Sequence, residues 1–368
     1  MKIALIGTRG VPASYGGFET CAEEVGKRLV KRGHDVTVYC RKGYYAERLP
    51  AYMGMNLVYL PNLRFKSLDT ISHTFLSVLH ALGCGYDVLM VFNAANSPIL
   101  LLPRILGNKI AINTDGLEWK RGKWGAVARR YYKFSEWFST KVASRIIADS
   151  PGIRQYYREN YGAESSYIAY GAYISESRRP ELLKPLGLEP GGYFLQITRF
   201  EPENNPLLTI RAFKKLTTDK KLVLVGGVPY RSDYSMQIAS AAGGDVILPG
   251  FIYEKEVLNE LWCNCYAYIH GNEVGGTNPA LLQSMASSCF TIAIDVAFSR
   301  DVLRNSGVYY SKSVDSLAEK MKWALEHPAE LSGYKKSAME LIRKYYSWDT
   351  ITEQYETLFR ELRDGQGI

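Results

Sequence analysis

The residues from Tyr268 to Ser287 read Tyr-Ile-His-Gly-Asn-Glu-Val-Gly-Gly-Thr-Asn-Pro-Ala-Leu-Leu-Gln-Ser-Met-Ala-Ser. They carry the densest chemistry in the chain. The apolar run Cys265 to Ile269 predicts a short buried strand, and a polar turn with Gly271, Asn272, Glu273, Gly275, Gly276, Thr277 and Asn278 follows it. Pro279 then opens a helix over Ala280 to Ser287, with Asn278 or Thr277 as its N-cap. Two adjacent glycines let backbone amides approach a ligand closely, and a helix N-terminus attracts anions. Glu273 adds one acid to the same turn. The set suits a ligand bearing both phosphate and hydroxyls, such as a sugar nucleotide; an ordinary strand-to-helix turn is the competing reading.

Two further positions could serve such a ligand. Arg199 follows a strand ending at Thr198, where a guanidinium can grip phosphate oxygens with two hydrogen bonds. Asp115 follows the strand Lys109–Asn113, where a carboxylate can orient or deprotonate an acceptor hydroxyl. An ordinary surface arginine and an Asx-turn are the alternatives. Asp149-Ser150-Pro151 reads as a helix N-cap, and His270, one residue past a buried strand, as a satisfied core or loop histidine.

The elements that must hold these residues alternate. Lys2–Ile6, a glycine-bearing loop from Gly7 to Gly17, a helix over Glu19 to Lys31 and a strand over Asp35–Cys40 form one βαβ unit. Strands follow at Asn56–Tyr59, Val88–Phe92, Lys109–Asn113 and Ile146–Ala148, with a helix over Leu68–Leu82. A loop-like stretch with Pro180, Pro185 and Pro190 separates a second alternating set, whose strands begin at Tyr193–Thr198 and end at Val308–Tyr310. The fold class is α/β, with two Rossmann-like domains in tandem: residues 1–175, and residues 176–345, with a helix over 346–364 returning to the first. Ligands are expected between the carboxyl ends of the two sheets.

Between them, Trp119 to Arg145 is basic and aromatic. Lys120, Arg121, Lys123, Arg129 and Arg130 are interleaved with Trp124, Tyr131, Tyr132, Phe134 and Trp137, and Glu136 is its one acid. Such a helix suits an anionic membrane surface or acceptor headgroup; a packed helix with a solvated basic face is compatible with it.

The chain has 368 residues, net charge +8 and a pI near 9.0. There is no basic low-complexity tail and no nucleic-acid motif, so nucleic acid is not an expected partner. The six cysteines form no C-x-x-C pair and read as reduced thiols. No apolar run approaches the ~20 residues that cross a bilayer. The expected setting is cytoplasmic, peripheral on the inner face of the membrane. A nicotinamide dehydrogenase is disfavoured: Gly7-Thr-Arg-Gly10 is not G-x-G-x-x-G, and the second strand ends Tyr39-Cys40-Arg41 with no acid for a ribose.

Pro12-Ala-Ser-Tyr-Gly-Gly-Phe-Glu19, Asp115-Gly-Leu-Glu-Trp-Lys-Arg121, Arg199-Phe-Glu-Pro-Glu-Asn-Asn205 and Glu273-Val-Gly-Gly-Thr-Asn-Pro279 together resemble glycosyltransferase family four, retaining enzymes of GT-B fold. They are most similar to bacterial rhamnosyltransferases that build cell-surface polysaccharides. The resemblance implies transfer of a hexose, foremost rhamnose from dTDP-rhamnose, to a lipid-linked or oligosaccharide acceptor, without metal or cofactor. It implies that Gly16, Gly17 and Arg199 meet the donor diphosphate, and that Glu273, Gly275, Gly276, Thr277 and Asn278 hold the sugar and phosphate. Asp115 would lie near the acceptor, and Gly250 and Phe251 beside the nucleobase. Two positions depart from the family: Gln283 stands where a second glutamate is usual, and Asn204 where a lysine is usual. A UDP- or GDP-sugar donor, or a non-catalytic sugar-nucleotide-binding subunit, is the alternative.

Overall fold

The computed structural model describes residues 1–13, 16–63, 69–114, 116–120, 124–228 and 232–365, and structural statements refer to these. The chain divides into two compact units: Met1–Gly171 with Trp348–Ile368, and Ala172–Ser347.

The first unit is built on β1 (Lys2–Ile6), β2 (Asp35–Arg41), β3 (Ala51–Tyr52), β4 (Met55–Leu60), β5 (Val88–Phe92), β6 (Ile110–Asn113), β7 (Arg145–Ala148) and β8 (Ser165–Tyr167). They form a sheet in the order β3-β4-β2-β1-β5-β6-β7-β8, parallel except for the β3-β4 hairpin. Helices α1 (Gly17–Lys31), α2 (Asp69–Leu82), α3 (Leu101–Ile105), α4 (Ala126–Val142) and α5 (Pro151–Tyr161) connect them. Strands with both faces covered need apolar residues at every position, not every second one. The run Ile3-Ala4-Leu5-Ile6 supplies this, each residue at most 1% exposed.

The second unit carries β9 (Tyr193–Arg199), β10 (Lys221–Gly227), β11 (Val246–Gly250), β12 (Ala267–His270), β13 (Thr291–Ile294) and β14 (Val308–Tyr310), in the all-parallel order β11-β10-β9-β12-β13-β14. Its helices are α6 (Pro206–Phe213), α7 (Asp233–Ala241), α8 (Lys255–Asn264), α9 (Pro279–Ala286), α10 (Ala297–Leu303), α11 (Val314–Glu326) and α12 (Leu331–Tyr345). Alternate residues enter opposite layers: Leu222 and Leu224 pack with Phe194 on one face, Val223 and Val225 with Leu195 and Trp262 on the other.

The last helix, α13 (Trp348–Arg363), packs on α1 in the first unit. Glu356 ties it down, accepting from Arg32 at 2.8 Å and pairing with His34 Nε2 at 2.9 Å. Trp348 lies flat on Gly171, where an added Cβ would sit 2.5 Å from its ring, so only glycine fits there.

Alternation located most elements within a residue or two, but α3, α10, α12, the β3 hairpin and β8 escaped it. β8 is three residues long and largely polar, and α12 was hidden because only four of its fifteen residues are buried. The basic segment is not one helix: a 3-10 turn at Glu118–Lys120 precedes α4.

Candidate functional site

Because β9, β10, β11 and β12 are parallel neighbours, with one register shift between β10 and β11, their carboxyl ends share one edge of the second sheet. Arg199, Gly227, Gly250 and His270 are the last residues of these strands. Every donor-side residue of this unit follows from that edge.

The turn after β12 is braced from β9's side. Glu273 N donates to Glu203 O at 3.0 Å, and Glu273 Oε1 accepts from Asn205 Nδ2 at 2.7 Å and pairs with Lys312 Nζ at 2.7 Å. The same Asn205 amide donates to Gly271 O at 2.9 Å. Asn205 can do this because it sits at φ 56°, a left-handed conformation asparagine tolerates, and caps α6 ahead of Pro206. Gly275 has φ 149° with open space around it, and Asn278 caps α9 by accepting from Ala280 N at 2.9 Å. Thr277 is buried. Arg199 is half-buried and its guanidinium has no partner among the described residues. A carboxylate, the N-terminus of α9 and an unpaired guanidinium thus lie at one sheet edge. That combination accepts hydroxyl hydrogens and receives phosphate oxygens.

Three sequence expectations need correcting. Asn204 does not replace a phosphate-binding lysine: it is 3% exposed, and its amide donates to Arg199 O at 3.0 Å. Its neighbour Asn205 is the one that reaches Glu273. Gln283 turns to the start of the unit, donating to Ser175 Oγ at 3.0 Å and Tyr173 O at 3.3 Å. His270 is buried but not satisfied: its Nδ1 has no hydrogen-bond partner, and burial lowers its pKa to about 3.

Some residues at this edge were missed. Gly226 lies so close to β9 that a Cβ would stand 1.9 Å from Thr198 O, at φ 127°. Gly227 lies under Phe251, 3.2 Å from a would-be Cβ. Phe251, just past Gly250, is stacked with the exposed Tyr253 at 6.1 Å. The pair Gly226-Gly227 directly after an apolar strand was the available signal. Lys312 had none, because it comes from beyond β14 and only folding brings it to Glu273.

In the first unit, Gly16 caps α1 at φ 117° and Gly17 is its first residue. The loop before them is held by two buried acids of α1: Glu19 Oε1 accepts from Arg9 N at 2.9 Å, and Glu23 Oε2 from Ala13 N at 2.7 Å. Asp115, Arg121 and Lys123 lie outside the described residues.

Lys120, Arg129 and Arg130 are exposed. The helix α4 is unusual in what it hides. Ser135, Glu136 and Ser139 face inward, while Val127, Phe134 and Trp137 are 83%, 47% and 44% exposed. Val127, Arg130, Phe134, Trp137 and Lys141 repeat at intervals of three and four, so they share one outward stripe. Glu136 accepts from the hydroxyls of Tyr156 and Tyr161, each at 3.0 Å, and burial pushes its pKa up to about 7. Among the described residues no helix is long and apolar enough to cross a membrane.

Comparison with known proteins agrees with this architecture. Residues 179–344 match the family model of glycosyl transferases group 1, and residues 99–173 match a domain of unknown function (DUF1972). The N-acetylgalactosamine-N,N'-diacetylbacillosaminyl-diphospho-undecaprenol 4-alpha-N-acetylgalactosaminyltransferase of Campylobacter jejuni is 24% identical over 243 residues, 64% of each chain. The chain thus spans less than two thirds of that relative's length. Sucrose-phosphate synthase from Thermosynechococcus elongatus superposes with a TM-score of 0.84 at 19% identity, over 99% of this chain and 100% of that one. Anabaena HepE in complex with UDP gives 0.79 at 16%, over 98% and 100%. The chain therefore has the GT-B fold of two parallel-sheet units, and most of its second unit matches the model of glycosyl transferases group 1.

Proposed function

We propose that this protein is a retaining glycosyltransferase that moves a hexose from a nucleotide-diphosphate sugar to a lipid-linked or oligosaccharide acceptor in surface polysaccharide synthesis. The observation that carries the reading is Glu273, fixed between Asn205 and Lys312 beside the amides of Gly275 to Asn278 and the unpaired Arg199. In this role Glu273 accepts hydrogen bonds from hexose hydroxyls, and the α9 N-terminus and Arg199 receive the diphosphate. The acceptor oxygen bonds the anomeric carbon on the face from which the diphosphate departs as the carbon–oxygen bond to it breaks; the electron pair leaves with the nucleotide, whose departing phosphate oxygen takes the acceptor hydroxyl's proton. Arg199 and Lys312 offset that departing charge, so no cation is required. Asp115 is assigned to the acceptor hydroxyl, Gly16 and Gly17 to the diphosphate, and Phe251 to the nucleobase.

For the donor, the four sequence strings favour dTDP-rhamnose. A UDP-sugar is the second reading, favoured by HepE solved with UDP, and the named activity of the Campylobacter relative favours a sugar other than rhamnose. The outward stripe of α4 supports a peripheral contact with an anionic membrane, where a lipid-linked acceptor would reside.

Glu273→Gln, with folding verified by circular dichroism, is expected to reduce hexose transfer by at least ~100-fold. Turnover equal to wild type would overturn the assignment. Donor binding with no transfer by the wild type, across a panel of acceptors, would instead make the chain a sugar-nucleotide-binding subunit. A thermal-shift screen of dTDP-, UDP- and GDP-sugars separates the donors, since a ligand of the folded state raises its apparent stability.

A further inference from the structure

Of the buried side chains of the second unit that carry an unpaired polar atom, His270 and Ser299 line one small cavity. His270 ends β12 at 2% exposure, and its Nδ1 is unpaired; Ser299 in α10 is 1% exposed, and its Oγ is unpaired. The cavity lies against Gly275, Gly276 and Asn278 of the α9 turn, with Phe298 on its apolar side. It has room for a water-sized guest and little more.

A buried polar atom left unpaired is costly, and two in one cavity are a strong departure from ordinary packing. Nothing in the neighbouring side chains relieves either atom. A single oxygen that both donates and accepts would satisfy the two together. A hydroxyl is such a group: it can donate to an unprotonated imidazole nitrogen and accept from a serine hydroxyl. Burial keeps the imidazole neutral, which suits this pairing and disfavours an ionic guest. The glycines leave the wall toward the turn without side chains.

We propose that this notch is a hydroxyl-recognition subsite: one hydroxyl of the donor hexose enters it and bonds to His270 Nδ1 and Ser299 Oγ. The two side chains are then determinants of donor preference, not reacting groups. The inference rests on the donor-site reading given above. A site built around a hydroxyl discriminates strongly against a sugar lacking it, because its own buried groups are then left unpaired.

The test uses the full-length chain with dTDP-rhamnose and UDP-glucose, and with the single-deoxy analogues of each. Affinity is measured by calorimetry alongside turnover. The wild type is expected to lose roughly ten- to a hundredfold in affinity for one deoxy analogue of its donor. Ser299→Ala and His270→Leu should weaken the full donor and bring that ratio to within about twofold, because the hydroxyl no longer has partners. His270→Asn, which returns a polar atom near the place of Nδ1, should restore part of the discrimination. The ratio is insensitive to a general loss of stability, so a poorly folding His270→Leu leaves Ser299→Ala to decide. If every analogue binds as well as its parent, or Ser299→Ala weakens parent and analogues by one common factor, the notch holds only a structural water and the proposal fails. Discrimination that tracks Ser299 in a chain that transfers no sugar would uphold the notch and overturn the catalytic reading. Transfer without such discrimination would do the reverse. No binding of either donor would overturn both.

Discussion

Asn205 Nδ2 donates to Glu273 Oε1 at 2.7 Å and to Gly271 O at 2.9 Å, joining the turn after β9 to the turn after β12. Sixty-eight residues of chain separate the asparagine from the glutamate. The bond joins two separate loops into one surface, and it sets the first prediction. Asn205→Ala leaves Gly271 O without its donor and frees the Glu273 carboxylate. It should cost roughly 1–3 kcal/mol of stability in urea unfolding. The loosened carboxylate should also lower kcat/KM for the donor by about one to two orders of magnitude. Asn204→Ala removes only a bond within its own turn and should leave kcat/KM within about threefold. Equal losses from the two variants would contradict the distinction.

Gly226 is required by space as well as by φ. Alanine there would place Cβ 1.9 Å from Thr198 O at φ 127°, whereas Gly243, at φ 125°, has nothing within 4 Å. Gly226→Ala should therefore destabilise by about 3 kcal/mol or more, and Gly243→Ala by about 1 kcal/mol, the backbone strain alone. Chemical denaturation of both variants checks the difference.

Two glutamates of the first unit predict opposite pH slopes. Glu136 is raised to about 7 by burial, so the folded chain holds its proton more tightly than the unfolded one. Its contribution is fully present below about pH 4.5 and is lost as pH rises to about 7, an effect on the order of 3 kcal/mol. Glu136→Gln should flatten that slope and raise stability at pH 8 relative to wild type. Burial also works to raise Glu356, but bonds from Arg32, His34 and Arg360 outweigh it and hold the group at about 2. Its contribution is present above about pH 4.5 and lost as pH falls toward 2. Glu356→Gln should remove that acid-side loss. Midpoints of urea unfolding across pH 2 to 9 would show both, and parallel curves for variant and wild type would refute either claim.

The outward stripe of α4 predicts binding to vesicles containing anionic phospholipid. Phe134→Ser and Trp137→Ser should each weaken it by about tenfold, through lost apolar burial. Arg130→Gln should reduce its salt dependence, since exposed charges are screened within ~10 Å at 0.1 M salt. Binding that is absent, or unaffected by both salt and the aromatic substitutions, would remove the membrane from the account.

Strand–helix alternation was legible in the chain itself because parallel strands buried on both faces must be apolar throughout, as residues 3–6 and Val88–Phe92 are. The turn chemistry of Gly275, Gly276, Asn278 and Pro279 was legible through local rules of φ and capping. Such features depend on residues a few positions apart. What only the tertiary structure decided depends on residues far apart in sequence. It chose Asn205 over Asn204 as the partner of Glu273, because the Asn204 amide is held by Arg199 O within its own turn while the left-handed Asn205 reaches Gly271 and Glu273. It brought Lys312 to Glu273 from beyond β14, turned Gln283 toward Tyr173 and Ser175, and exposed Phe134 and Trp137 while burying Glu136. It also set His270 and Ser299 in one cavity without partners. No period or motif encodes these pairings, since hydrogen-bond satisfaction belongs to the packed chain and not to any segment of it.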